Sequence, residues 1–253
     1  MDGKFIVEPI CDNRVEDSVR RNEILRRFCS NDITKPSICK PFVVALLPYA
    51  TDGRIAIRFD VVSKEFEDVP NTDPRSDKAA HIEYCIYRDL RDAKEGRREA
   101  LPIDFTILRR AAMAALDDTR ATARADGVPE KVEDPDELTR KETAELSSCV
   151  ILPGRSRMVI DAKYALLVCD TVSAFGACSA FAYLPTKRKF REKHGRILFA
   201  GARYDILLMA PRTDIPFDRG AIADAATGEL VHRAEDKDPF DMDLLRFGKG
   251  GAE

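Results

Sequence analysis

RMVIDAKYALLVC, residues 157–169, is an apolar run in which alternate side chains share one face of an extended chain. A period of two is typical of a β-strand with one buried face. Two more apolar runs follow, at about residues 172–184 and 197–210, and the first of them is rich in small side chains. Together the three runs predict a three-stranded antiparallel meander over about residues 157–210.

A second β-region precedes the meander in the sequence. An apolar run over residues 42–47 is separated from an alternating run over residues 55–61 by Thr51-Asp52-Gly53-Arg54. An Asp-Gly pair between two such runs is a strong indication of a hairpin. We therefore predict a hairpin over about residues 42–62, with Arg54, Arg58 and Asp60 facing water.

Helical periodicity accounts for much of the remaining sequence. Apolar residues recur at helical spacing over residues 15–29, 82–90 and 105–115, and Asp134-Pro135 has the features of a helix start. The chain is therefore predicted to be an α+β protein in which an antiparallel sheet packs against a helical layer. We expect a single domain over residues 1–253. The alternative is a division into a mixed hairpin–helical part (1–130) and a β-meander part (131–253).

Charge is unevenly distributed along the chain. Charged residues make up 34% of the sequence and nearly cancel, which leaves a formal net charge of −3. Residues 151–200 nevertheless contain nine Lys or Arg against three Asp or Glu, a local net charge of +6. A positive block on an acidic protein favours one oriented contact over general affinity for polyanions.

The positive charge is concentrated in KRKFREKHGR, residues 187–196, which we call the basic segment. It lies between two predicted strands, so we expect it to form the exposed tip of a hairpin. Such a tip can contact nucleic acid or an acidic protein, with a salt-dependent affinity. The alternative is a solvated tip without a ligand. The candidate contact residues are Lys187, Arg188, Lys189, Phe190, Arg191, Lys193 and Arg196.

Neither a cofactor site nor an export signal is evident in the sequence. Its seven cysteines contain no C-x-x-C pair, its three histidines share no metal-ligand spacing, and nucleotide-binding and serine-hydrolase motifs are absent. We therefore predict no cofactor, no metal and no catalytic residue. The first residues lack the apolar core of a signal peptide, and no apolar run reaches the ~20 residues of a membrane span. A cytoplasmic protein, or one within a particle assembled there, with mostly reduced thiols is expected. Cross-linking of subunits by some thiols is the alternative.

One tripeptide indicates a different function. Asp161-Ala162-Lys163 would present an acid and a lysine on the same face of the predicted strand. The spacing resembles the D-x-K half of the PD-(D/E)XK nuclease core. This resemblance implies that Asp161 helps to bind a divalent metal and that Lys163 orients the attacking water. The family also has a Pro-Asp on the preceding strand, whereas here Pro135-Asp136 begins a predicted helix. The simpler interpretation is a surface pair on a half-exposed strand.

These observations favour a non-enzymatic function. We expect a structural or assembly subunit of a larger complex, such as a viral or phage particle or a ribonucleoprotein. Its basic hairpin would contact nucleic acid or an acidic neighbouring subunit, and its partners would be other protein subunits in a homo- or hetero-oligomer, with no membrane. A metal-dependent nuclease using Asp161 and Lys163 is one alternative, and a protein-only adaptor is another.

Overall fold

The computed structural model describes residues 12–31, 38–44, 47–61, 99–125, 148–154, 158–183, 196–209 and 220–232. Within these ranges the helices are α1 (Asp12–Arg27), α2 (Phe105–Ala125) and α3 (Ala162–Phe175). The strands within them are β1 (Phe42–Val44), β2 (Leu47–Thr51), β3 (Ile55–Phe59), β4 (Glu99–Leu101), β5 (Cys149–Ile151), β6 (Val159–Asp161), β7 (Cys178–Tyr183), β8 (Arg196–Gly201), β9 (Tyr204–Met209), β10 (Ile222–Asp224) and β11 (Leu230–His232).

Two β-sheets organise the described residues. The larger has seven strands in the order β1-β2-β3-β9-β8-β7-β4, and each neighbouring pair in it is antiparallel. The smaller has the order β11-β10-β5-β6, in which β10 and β5 run parallel. Helix α2 packs against α3 and against β5 and β10 of the smaller sheet. The predicted class, an α+β protein with an antiparallel sheet and a helical layer, is confirmed.

The two helices expected near residues 15–29 and 105–115 are confirmed as α1 and α2. The helices predicted over residues 82–90 and after Asp134 lie outside the described residues. The division of the chain into domains stays a prediction.

The predicted hairpin over residues 42–62 is confirmed by the antiparallel pairing of β2 with β3. Its turn is shaped by Asp52, whose Oδ1 accepts hydrogen bonds from the backbone amides of Arg54 (2.8 Å) and Ile55 (3.0 Å). Gly53 has φ +92°, a left-handed conformation that glycine adopts without steric cost. The side chain of Asp52 and the glycine therefore fix the register of β2 against β3.

A three-stranded antiparallel meander is present, but it begins later than predicted. Strands β7, β8 and β9 are consecutive in the chain and are neighbours in the larger sheet, paired from Cys178↔Gly201 to Arg196↔Met209. The meander therefore spans residues 178–209. The run over residues 197–210, predicted as a single strand, is divided into β8 and β9 by a turn at residues 202 and 203. The strand predicted over residues 157–169 is not part of the meander.

That strand prediction was wrong because the chain turns into a helix at Ala162. Only Val159–Asp161 is extended, and it pairs with β5 in the smaller sheet. The Asp161 carboxylate then accepts a hydrogen bond from the Lys163 amide (2.9 Å) and caps α3. Residues 162–169 are apolar on nearly all sides, so they fit a period of 2 and a period of 3.6 equally well. The cap at Asp161 selects the helix.

One hydrophobic core joins the inner face of the larger sheet to the helices and to the smaller sheet. Ile57 of β3 and Ile206 of β9 are cross-strand neighbours on this face, and both are fully buried. Leu108 of α2, Val168 of α3 and Ile160 of β6 belong to the same core. Burying a side chain of this size contributes about 1.5–3 kcal/mol, so the core is the main stabilising feature of the described fold.

A buried hydrogen-bond network ties α2 to the smaller sheet. The hydroxyl of Thr119 donates to the carbonyl of Ala115 (2.8 Å) and accepts from the Ser148 hydroxyl (2.8 Å) and from the Ala221 amide (2.9 Å). Thr119 and Ser148 are both buried. The single hydroxyl of Thr119 therefore satisfies polar groups just before β5 and β10 that water cannot reach.

Candidate functional site

Most of the basic segment lies outside the described residues, which include only Arg196 of the predicted contact residues. Arg196 is the first residue of β8 and pairs with Tyr183, the last residue of β7. Residues 184–195 therefore connect two strands that are antiparallel neighbours in the sheet. The exposure of its side chains and their contacts stay predictions.

The β2–β3 turn lies at the same end of the larger sheet as the basic segment. Arg196 pairs with Met209, and the next row joins Ile197, Leu208 and Ile55 across β8, β9 and β3. Arg54 directly precedes Ile55 and is exposed. Two strand spacings separate β3 from β8, about 10 Å. Strand register thus brings together two turn regions that are about 140 residues apart in the sequence.

The N-terminus of α3 is fastened to this turn by a tyrosine. The buried Tyr164 hydroxyl donates to Oδ2 of Asp52 at 2.5 Å. Burial and the hydrogen bond to the Asp52 carboxylate both raise the pKa of Tyr164. Tyr164 therefore stays protonated and acts as a fixed donor, which locks the hairpin turn onto the start of α3.

Lys163 and Asp161 lie beside this tyrosine. The Lys163 Nζ is 3.7 Å from Oδ2 of Asp161 and 4.9 Å from the centre of the Tyr164 ring. Burial raises the pKa of Asp161, while the positive charges of Lys163 and Arg54 oppose that rise. The two acids of this cluster are used internally, Asp161 as a helix cap and Asp52 in the turn. The two cations, Lys163 and Arg54, are exposed.

The charges in this described cluster balance, because two aspartates accompany one lysine and one arginine. The described cluster itself therefore contributes no net positive charge at this end of the sheet. Sequence reasoning did not find the cluster, because its members come from residues 52–54 and 161–164. The Asp-Gly turn was recognised, but a tyrosine in an apolar run gives no indication of its partner.

The geometry expected for a nuclease is not formed by Asp161 and Lys163. The prediction that both project from one face of a strand was wrong, because Asp161 caps α3 and Lys163 is in its first turn. In the part of the chain that the structure describes, no group of three His, Cys, Asp or Glu side chains could hold a metal ion. Asp161 caps α3, Ala162 is fully buried, and the Lys163 side chain is exposed.

A second charged pair lies on the opposite face of the larger sheet. Arg58 donates a hydrogen bond to Asp205, its cross-strand neighbour, and Tyr49 occupies the same row on β2. Burial raises the pKa of Asp205, and the positive charge of Arg58 opposes that rise. The prediction that Arg58 faces water was wrong, since its side chain is only 18% exposed. The sequence gives one indication of this pair, because Asp205 is the single acidic residue in the otherwise apolar stretch YDILLM.

A groove opens at the other end of β7, away from the basic segment. Pro102 ends the pairing of β4 with β7, and the chain then turns into α2, leaving a volume of about 620 Å³ beside Cys178 and Ser179. Five residues of β7 separate Cys178 from Tyr183, about 16 Å of extended chain. The groove therefore lies at the opposite end of β7 from Tyr183.

The three helices meet at one carboxylate. Asp170 of α3 accepts hydrogen bonds from Arg27 of α1 and from Arg109 of α2, each at 2.5 Å. Burial acts to raise the pKa of Asp170, but the two arginines outweigh it and hold the pKa below its usual range. This cluster stabilises the helical layer and leaves the carboxylate fully occupied.

Comparison with known proteins identifies no relative. No family model matches the chain, and neither does any curated protein or solved structure. The helices in the described ranges include none that is long and apolar enough to cross a membrane.

Proposed function

We propose that the chain is a non-enzymatic structural or assembly subunit of a larger complex, such as a viral or phage particle or a ribonucleoprotein. In this proposal the basic segment contacts nucleic acid or an acidic surface of a neighbouring subunit. The observation that carries the proposal is the pairing of β7 with β8 on either side of residues 184–195. Because the strands are paired, the two ends of the connection that contains most of the basic segment are held about 5 Å apart.

The position of these strands also supports the proposal. β8 pairs on both sides, with β7 and β9, and its central residues Leu198 and Phe199 are fully buried. Because β7 and β8 already fix the two ends of the connection, the connection loses less conformational entropy when it binds a partner. Five basic residues over 187–193 can then neutralise several phosphates or carboxylates at once.

A catalytic function has less support in the described residues. Asp161 and Lys163, on which the nuclease alternative depends, are engaged in the cap and first turn of α3. Their substitution is therefore expected to change stability rather than to abolish a reaction. The protein-only adaptor remains as an outcome of the experiment below.

The test removes four charges from the basic segment. Lys187, Arg188, Lys189 and Arg191 are replaced by Gln, and binding to fluorescent single-stranded and duplex oligonucleotides is followed by anisotropy over a range of salt concentrations. Each phosphate contact contributes about 0.7 to the slope of log K against log salt on single strands and about 0.9 on duplex DNA. Loss of four contacts should make the slope shallower by about 3 and abolish retention at physiological salt.

A matched control removes four exposed charges from the helices, by replacing Arg20, Arg26, Arg120 and Arg124 with Gln. This variant has the same net charge as the test variant and should bind like the wild type. Equal losses in both variants would mean that binding is non-specific and would overturn the role of the basic segment. If the wild type binds no oligonucleotide but binds an acidic protein through these residues, the partner is a neighbouring subunit or an adaptor target.

A further inference from the structure

Two cysteines flank the point where the chain returns to the end of α1. The Ser30 amide donates a hydrogen bond to the Ile38 carbonyl at 2.8 Å. Cys29 directly precedes Ser30, and Cys39 directly follows Ile38. This bond joins atoms next to both cysteines, so peptide geometry places the Cα atoms of Cys29 and Cys39 within about 8 Å of each other. Disulfides require a Cα separation of about 4.4–6.8 Å.

Both thiols are accessible to a small oxidant. Cys29 and Cys39 are both partly exposed, whereas Cys149 and Cys169 are buried. Burial, followed by the charges of Cys39 and Asp52, raises the pKa of Cys29 to about 12. Formation of the Cys29 thiolate is therefore the slow step, and oxidation should be faster at higher pH.

We propose that Cys29 and Cys39 are a redox modification site and form a disulfide within one chain when a small-molecule disulfide such as oxidised glutathione is present. One cysteine, as its thiolate, attacks a sulfur of the oxidant and releases glutathione. The second cysteine, also as a thiolate, attacks the resulting mixed disulfide and releases a second glutathione. The two protons lost by the protein thiols go to the two glutathione thiolates, so two thiols are oxidised and one disulfide is reduced.

The disulfide would fasten α1 to the segment that leads into β1. Two ion pairs that water can reach also hold α1, from Arg27 to Asp170 and from Asp17 to Arg203. Pairs of this kind contribute up to about 1 kcal/mol each, because water screens them. A covalent link across this short loop reduces the entropy of the unfolded chain, so the oxidised protein should melt about 5–10 °C above the reduced protein.

The experiment maps the disulfide in the native protein. Reduced protein is incubated with oxidised glutathione, remaining thiols are alkylated, and the chain is cleaved on the N-terminal side of aspartate. Asp32 lies between the two cysteines, so their peptides stay joined only if the disulfide has formed. The expected product is one linked pair of peptides that has lost two hydrogens.

Three outcomes would overturn the proposal. They are alkylation of both thiols, stable glutathione adducts without a link, and cysteines joined between two chains. Cys39→Ser should abolish the rise in melting temperature on oxidation, and Cys29→Ser should do the same. The control Cys178→Ser removes another partly exposed thiol and should leave the rise unchanged.

Discussion

Replacing Tyr164 with Phe tests how the hairpin turn is fastened to α3. The substitution removes one hydroxyl and keeps the buried ring, so the lost interaction is the 2.5 Å hydrogen bond to Asp52. Hydrogen bonds to charged groups contribute about 1.5–3 kcal/mol. Asp52 is partly exposed and keeps two backbone donors on its other oxygen, so water can replace part of the loss. We expect a loss of about 1–2 kcal/mol in the free energy of unfolding.

The measurement is urea unfolding at pH 7 in a double-mutant cycle with Asp52→Asn, which retains a residue suited to the turn. The two substitutions should be non-additive by about 1 kcal/mol, because Tyr164→Phe removes the donor and Asp52→Asn removes the charged acceptor of the same hydrogen bond. Additive effects, or a Tyr164→Phe variant as stable as the wild type, would refute the proposed role of this contact.

The pH dependence gives the same prediction an independent check. The pKa of Tyr164 is raised in the folded protein, so between about pH 10 and that higher value only the unfolded state loses the proton. The Tyr164 hydroxyl therefore makes its full contribution to the free energy of unfolding below about pH 10, and this contribution falls as pH rises further. The difference between wild type and Tyr164→Phe should shrink over that range. A constant difference would mean that the hydroxyl is not the origin of the effect.

Three further substitutions probe separate parts of the fold. Thr119→Val should lower the free energy of unfolding by about 2–4 kcal/mol in urea, because it leaves the buried Ala221 amide without a partner, while Thr119→Ser should cost much less. Asp170→Asn should cost about 1 kcal/mol at pH 7 and low salt. Because the pKa of Asp170 is lowered, that difference should persist above about pH 4 and vanish as pH falls through the folded value; a difference that is independent of pH would contradict it. Gly228→Ala should lower the melting temperature because a φ of +79° strains an alanine and because the new Cβ would crowd Nε of Arg110. Arg110→Ala should relieve the crowding but not the backbone strain.

Residues with a clear local pattern were predicted well from the sequence. The hairpin around Asp52 and Gly53 was recognised because the turn chemistry and the alternation of β3 agree. The period of two over residues 197–210 was recognised as β-structure, but as one strand, whereas a turn at residues 202 and 203 divides it into β8 and β9. In each case the information lies within a few consecutive residues.

The elements that were missed depend on contacts between distant residues. Helix α3 has apolar residues on nearly all sides, so only its cap at Asp161 distinguishes it from a strand. Strands β5, β6 and β10 have three residues each, too few to show a period, and β10 pairs in parallel with β5 from about 70 residues away. Arg58 was assigned to the correct face of β3, but a strand pattern cannot indicate that this face is covered.

The candidate site also has one part that the local sequence predicts and one part that depends on contacts between distant residues. Composition alone identified the basic segment, because six of its ten residues are Lys or Arg. Its position beside the β2–β3 turn required the register of four strands. The hydrogen bond from Tyr164 to Asp52 could not be predicted, since local sequence does not specify which buried hydroxyl meets which turn.

The central claim is that this chain is a subunit of a homo- or hetero-oligomer and binds a polyanion or an acidic neighbouring subunit. The most direct measurement is the native mass of the complex recovered from its source cells at low salt, before and after nuclease treatment and at high salt. The account predicts a mass well above the 28.3 kDa of one chain, which falls on nuclease treatment or when salt is raised. A species of 28.3 kDa under all of these conditions would contradict it.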